Sequence, residues 1–189
     1  MKFAMLGKKK DLLRRELRQL LNDIPVAERK RKSAGIVRRL CAKSFFKKAR
    51  TIMSYVALPT EVQTRTLIRQ ALRAGKTVYV PCVNVRTRTM RVCPIRNYDE
   101  DLRPGAYGIP EPVKRPVRRH EIAVFDLIVV PGLGFDRRGG RLGRGAGYYD
   151  RFLKSQKGAF KVGLSFREQV VRKIPMTRQD ASVDCVMTD

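Results

Sequence analysis

Apolar residues return at Leu12, Leu13, Leu17, Leu20, Leu21 and Ile24, the spacing of a helix face. Lys10, Arg14 and Arg18 recur at steps of four and form a cationic row placed on the side opposite the leucines. Pro25 ends this helix and suits the start of the next. That second helix runs over about 26–44, with Ala34, Ile36, Val37, Leu40, Cys41 and Phe45 as its apolar stripe and "ERKRK" as a solvated face. The pattern then changes. "TIMSYVA" (51–57) is short, apolar and β-branched at its start, a buried strand. "TRTLIRQALRAGK" (64–76) is helical, with Leu67, Ile68, Ala71 and Leu72 inward and Gly75 as a stop. "TVYVPCV" (77–83) is the next strand, and a strand–helix–strand succession implies a right-handed crossover and parallel pairing.

Further strands are predicted at 89–95, 126–130 and 160–166, with a short one near the end of 180–189. Residues 97–113 are turn-rich, 114–121 form a basic surface loop, and a helix is expected over about 147–155. Strands alternating with helices give an α/β layered fold, Rossmann-like, with a mostly parallel central sheet flanked by helices. At 189 residues the chain reads as a single domain.

Composition adds one strong feature. The 42 Lys and Arg outnumber the 17 Asp and Glu, for a net charge of +25. Such a field attracts anions of every kind, from nucleotides to nucleic acid. Cys41, Cys82, Cys93 and Cys185 form no C-x-x-C pair, and His120 is the sole histidine, so a structural zinc site is not expected. Scattered cysteines suit a reducing compartment. The apolar part of "MKFAMLGKKK" is too short for a secretory leader, and no apolar run reaches the length of a membrane span. A cytoplasmic, monomeric protein is expected.

The chemistry concentrates in "RRGGRLGRGAGYYDR" (137–151), with five glycines and five arginines. A long disordered RGG segment lacks apolar flanks; this run lies between a buried strand and the apolar helix start "YYDRFL". In α/β folds ligands bind beyond the carboxyl ends of strands. A glycine turn there lets backbone N–H groups approach a phosphate, the following helix adds its N-terminal dipole, and Arg141 and Arg144 add charge-assisted hydrogen bonds. The alternative is a purely structural glycine turn. The run matches neither a Walker A loop nor G-x-G-x-x-G. Asp150 sits where a carboxylate suits Mg2+ beside phosphates, or where an acid merely offsets the helix dipole.

"PGLGFDRRGGRLGRGAGYYDRFL" resembles the signature of the 5-formyltetrahydrofolate cyclo-ligase (methenyltetrahydrofolate synthetase) family. "KKDLLRREL", "YVALPTEVQT", "GAYGIPEP" and "DASVDCVMTD" are similar to other segments of that family in the same order. The resemblance implies conversion of 5-formyltetrahydrofolate to 5,10-methenyltetrahydrofolate with ATP and Mg2+, releasing ADP and phosphate. It implies ATP contacts at Lys10, Asp11, Leu12, Leu13 and Arg14, and along the loop at Arg141, Leu142, Gly143, Arg144, Gly145, Ala146, Gly147, Tyr148 and Tyr149. Reduced folate would meet Val56, Glu61 and Tyr107, together with Arg144, Gly145, Ala146, Gly147 and Tyr148. Arg144 and Tyr148 would be catalytic, and Asp150 and Asp184 would hold the metal. Replacing Asp150 by Ala is expected to abolish turnover and spare the fold. Nucleic acid remains a secondary partner, since two small anions need few of the 42 basic residues.

Overall fold

The computed structural model describes residues 2–84, 86–105, 110–113 and 124–189. Tyr107 and the predicted basic loop at 114–121 lie outside the described residues. In chain order the helices are α1 (Lys2–Asp23), α2 (Val26–Ala42), α3 (Ser44–Lys48), α4 (Arg65–Arg73) and α5 (Tyr148–Lys154). The strands are β1 (Thr51–Ser54), β2 (Thr77–Asn84), β3 (Thr89–Ile95), β4 (Leu102–Pro104), β5 (Pro110–Pro112), β6 (Leu127–Val130), β7 (Gly134–Asp136), β8 (Arg141–Leu142), β9 (Phe160–Leu164), β10 (Val170–Val171) and β11 (Cys185–Met187).

Six strands form the main sheet in the order β11-β9-β6-β1-β2-β3. All pair in parallel except β3, which returns antiparallel along β2. The fold is the expected α/β layer structure, and β1–α4–β2 is the expected parallel crossover unit. The strand β6, Leu-Ile-Val-Val, is buried throughout because both sheet faces are covered, as parallel sheets require. Alternation sorts its side chains. Leu127 and Val129 join a core with Ile36, Val37, Leu40, Leu67 and Ile68 from α2 and α4. Ile128 and Val130 join a second core with Phe125, Phe152 and Leu153 on the α5 side.

The chain runs outward from β1 to β2 and β3, then returns to β6 and continues the other way to β9 and β11. The order therefore reverses between β1 and β6, and a crevice opens outside the carboxyl ends of these two strands.

Two expectations change. The basic row of α1 is not opposite its buried stripe. Leu17 and Leu21 are buried, Lys10 and Arg14 are half-buried on the same side, and Leu12 and Leu20 are exposed. The helix has more leucines than a single stripe holds, and the side it buries faces polar partners as well as apolar ones. The glycine run is also not one loop. Its first half is the turn of the hairpin β7–β8, which with β10 makes a small three-stranded sheet. Asp136 organises that turn by accepting the Arg138, Gly140 and Ile174 N–H groups. Gly139 adopts φ +83°, and a Cβ there would run into the Val183 carbonyl oxygen. Leu17, Leu142 and Ile174 fasten α1 to this hairpin as a third small core.

Candidate active site

Beyond β8 the chain continues as Gly143-Arg144-Gly145-Ala146-Gly147 and enters α5. Gly145 and Gly147 take φ +116° and +68°, the left-handed region where a side chain is strained. This loop lies at the β1–β6 reversal, since Arg141 Nη1 donates to the Pro131 carbonyl just past β6 (3.3 Å). Arg14 Nε donates to the Gly143 carbonyl (3.0 Å) and Arg18 Nη2 to that of Arg144 (3.4 Å), so α1 closes over the loop.

Between them is a cavity of about 250 Å³. Lys10, Arg14, Arg141, Leu142, Gly143, Gly145, Gly147 and Asp150, all expected from the sequence, line it. Leu6, Gly7, Thr177, Gln179 and Asp180 complete the wall and were not expected. Lys10 Nζ donates to both Asp180 carboxylate oxygens (2.7 and 2.6 Å). The Thr177 N–H and hydroxyl also reach Asp180 Oδ2. Burial alone would raise the Asp180 pKa, but Lys10 and Thr177 outweigh it and hold the carboxyl below its ordinary value. The sequence signal for this turn is the Thr-x-x-Asp of "TRQD".

Asp150 faces the cavity from the first turn of α5. Its Oδ1 accepts Arg141 Nη2 (2.6 Å) and the Ala181 N–H (3.0 Å). The Arg141 side chain is only 3% exposed, so Asp150 is the counterion of a buried cation. Removal of this carboxylate strands a charge, and Asp150→Ala is therefore not the fold-neutral change expected from the sequence. Asp184 is placed differently. Its Oδ2 accepts the Lys161 N–H (2.7 Å) at the start of β9, and it does not line the cavity. Asp180 is the second acid beside Asp150.

The other side chains divide. Glu61 is buried to 8% exposure in the turn after β1. Its Oε2 accepts the Leu58 N–H (3.0 Å), and its Oε1 takes a forked pair from Arg144 Nε and Nη2 (3.2 and 3.1 Å). The turn is braced by Gln63, whose side chain donates to the Leu58 and Glu61 carbonyls. Tyr55 and Thr64 brace it too, through Tyr55 OH to the Val62 carbonyl and Thr64 Oγ1 to that of Tyr55. Val56 packs within the α2-side core. Tyr148 lies under the Arg151 guanidinium (5.6 Å) and Tyr149 under that of Arg141 (5.8 Å). The Tyr149 hydroxyl is buried with no hydrogen-bond partner among the described residues. Burial and then the Glu61 charge push its pKa far up, so it stays protonated. Asp11 pairs with Arg14 on the exposed side (2.6 Å), Leu13 joins the small third core, and Ala146 is exposed.

A 5-formyltetrahydrofolate cyclo-ligase family model matches residues 6–189. The chain belongs to the 5-formyltetrahydrofolate cyclo-ligase family. A mouse 5-formyltetrahydrofolate cyclo-ligase is 31% identical over 184 residues, covering 93% of this chain and 91% of the mouse protein. A solved 5,10-methenyltetrahydrofolate synthetase of Aquifex aeolicus aligns at TM-score 0.80 with 33% identity, covering 95% of this chain and 89% of that one. One from Mycoplasma pneumoniae shares the fold at TM-score 0.73 with 19% identity, over 94% and 97% of the two chains. In the cyclo-ligase fold seen here, no helix among the described residues is long and apolar enough to cross a membrane.

Proposed function

We propose that the chain converts 5-formyltetrahydrofolate to 5,10-methenyltetrahydrofolate at the expense of ATP, releasing ADP and phosphate. The observation that carries this reading is the meeting, at the β1–β6 reversal, of a cationic glycine-edged cavity with a buried carboxylate one loop away. Lys10, Arg14, Arg141 and the Gly143–Gly147 backbone bind the nucleotide phosphates. Glu61 accepts paired hydrogen bonds from the amino and ring N–H edge of a reduced pterin.

The reaction needs positioning and charge neutralisation more than a protein nucleophile. The formyl oxygen attacks the γ-phosphorus, the bond to ADP breaks, and the oxygen becomes a phosphate leaving group. The substrate's own N10 then attacks the formyl carbon, its proton is lost to the phosphate that departs, and the bridged N5–CH–N10 cation remains. Arg144 neutralises developing phosphate charge from the loop, and Tyr148 orients the reacting edge of the folate. Mg2+ fits the donor set. Asp150 lines the cavity and its Oδ2 has no partner among the described residues, and Mg2+ takes one or two protein carboxylates with phosphate oxygens and water. When bound, it neutralises phosphate charge during transfer. Asp150 would hold it, with Asp180 as the neighbouring acid in preference to Asp184.

The test is a spectrophotometric assay for the methenyl chromophore with 5-formyltetrahydrofolate, ATP and Mg2+. Product that requires both ATP and the metal is expected. No product, or product formed equally without ATP, overturns the reading.

A further inference from the structure

The active-site cavity uses few of the basic residues, and the rest are not evenly spread. Residues 26–48, which span α2 and α3, hold nine Lys and Arg against one acid, Glu28. On the outer side of α2 a groove of about 690 Å³ lies between that helix and the 167–169 turn. It shares no lining residue with the active-site cavity.

The groove has five cations and two acids on its walls. Both acids are already engaged. Lys32, 7% exposed, pairs with Glu168 and, at 3.4 Å, with Asp189. Asp189 also accepts the Arg167 N–H (2.8 Å). The remaining guanidiniums are in excess. Those of Arg38 and Arg167 make no hydrogen bond or ion pair with any described residue. Among the described residues Arg31 reaches only Glu28, at 3.9 Å. Arg31 and Arg38 are seven residues apart on one face of α2, about 10 Å along the axis. The floor between them is Ala34 and Gly35, and a Cβ on Gly35 would meet nothing within 4 Å. Arg39 donates to the Thr188 carbonyl, so the groove is open and carries two guanidiniums, Arg38 and Arg167, that have no partner among the described residues.

From this we infer that the α2 groove binds the phosphodiester backbone of a nucleic-acid strand without reading its sequence. Guanidiniums bind phosphate in a bidentate fork, and backbone contacts position a strand without specifying bases. No aromatic side chain lines the groove, so base stacking has no platform. Lys43, Lys47 and Lys48 continue the exposed basic surface past the end of α2, which suits an extended polyanion rather than one small anion. An anionic membrane fits less well. A helix that lies on lipid needs an apolar face to insert, and that of α2, with Ile36, Val37 and Leu40, is in the core.

The experiment follows binding of the full chain to a fluorescein-labelled oligouridine of about 20 nucleotides by anisotropy, over about 50 to 200 mM KCl. The variants are Arg38→Glu with Arg167→Glu, and Gly35→Glu, which places a negative charge in open space. Gly35→Ala is the control. The parent and Gly35→Ala bind with a steep salt dependence. Loss of two phosphate contacts lowers the log–log salt slope by about 1.4, and both charge variants weaken binding about tenfold or more at the lowest salt. Thermal unfolding shows that the variants remain folded. No binding by the parent, or equal binding by folded charge variants, overturns the proposal. So does loss of binding to phosphatidylserine vesicles with RNA binding unchanged, which would assign the groove to lipid.

Discussion

Arg144 and Glu61, 83 residues apart in sequence, are joined by a forked hydrogen bond on a single carboxylate oxygen. The Leu58 N–H holds the other oxygen. Both oxygens of the acid proposed to grip the pterin are therefore engaged without it, and its guanidinium partner has to let go before a paired pterin edge can dock on both. Glu61→Ala removes the acceptor and should raise the folate KM by about 10- to 100-fold, the loss of charge-assisted hydrogen bonds. The nucleotide KM should move far less. Steady-state kinetics with each substrate varied in turn check this, and an unchanged folate KM removes Glu61 from the site.

Asp150 has a structural duty as well as its proposed metal-binding one. Asp150→Ala leaves the buried Arg141 without a counterion and should cost about 3 kcal/mol. Asp150→Asn keeps an oxygen for Arg141 Nη2 and the Ala181 N–H, and should unfold much closer to the parent. Urea denaturation of the two variants separates the duties. If Asn folds well yet turnover falls with both variants, the metal assignment gains. If Asn retains full turnover, it fails.

Acid should weaken the fold through Asp136 and Asp180. Both carboxyls are held below the ordinary value of 3.8. For Asp136, burial raises the pKa but the Ile174, Gly140 and Arg138 N–H groups lower it by more. A group with a depressed folded pKa contributes stability that is complete above its unfolded pKa and is lost as pH falls through the folded one. Melting temperatures measured from about pH 6 downward should therefore hold steady and then drop below roughly pH 4. Asp136→Asn should melt lower at neutral pH with a shallower acid limb. A limb as steep as the parent's would exclude Asp136 as a contributor.

The hairpin turn depends on a glycine that the active-site loop does not contain. Gly139→Ala faces a left-handed φ, which costs about 1–2 kcal/mol, and a collision with the Val183 carbonyl. A lower Tm by at least about 3–5 °C is expected for a chain of this size. An unchanged Tm would show that the turn can relax.

Periodicity made the β1–α4–β2 unit legible, because Leu67, Ile68 and Ala71 mark one face of a helix between two β-branched strands. It could not divide the glycine run, since β7 and β8 are three and two residues long and leave no repeating pattern. Nor could it show that Asp180 rather than the expected Asp184 lines the cavity. Tertiary partners place the two, Lys10 for Asp180 and the Lys161 N–H for Asp184. The placing of α1 failed for a related reason. Its amphipathic pattern assumes that charge faces water, whereas Lys10 and Arg14 face a polar cavity inside the molecule. The family signature located most of the cavity lining, which backbone geometry then gathered from both ends of the chain.

That gathering has a temporal side. Lys10 and Asp180 are 170 residues apart, and a ribosome adding about 5–20 residues per second takes about 10–30 s to travel between them. Throughout that interval Leu17 is waiting for a berth, formed with Leu142 and Ile174, that has not been made. The helix that carries Lys10 is seated only once a segment 170 residues further on has been made.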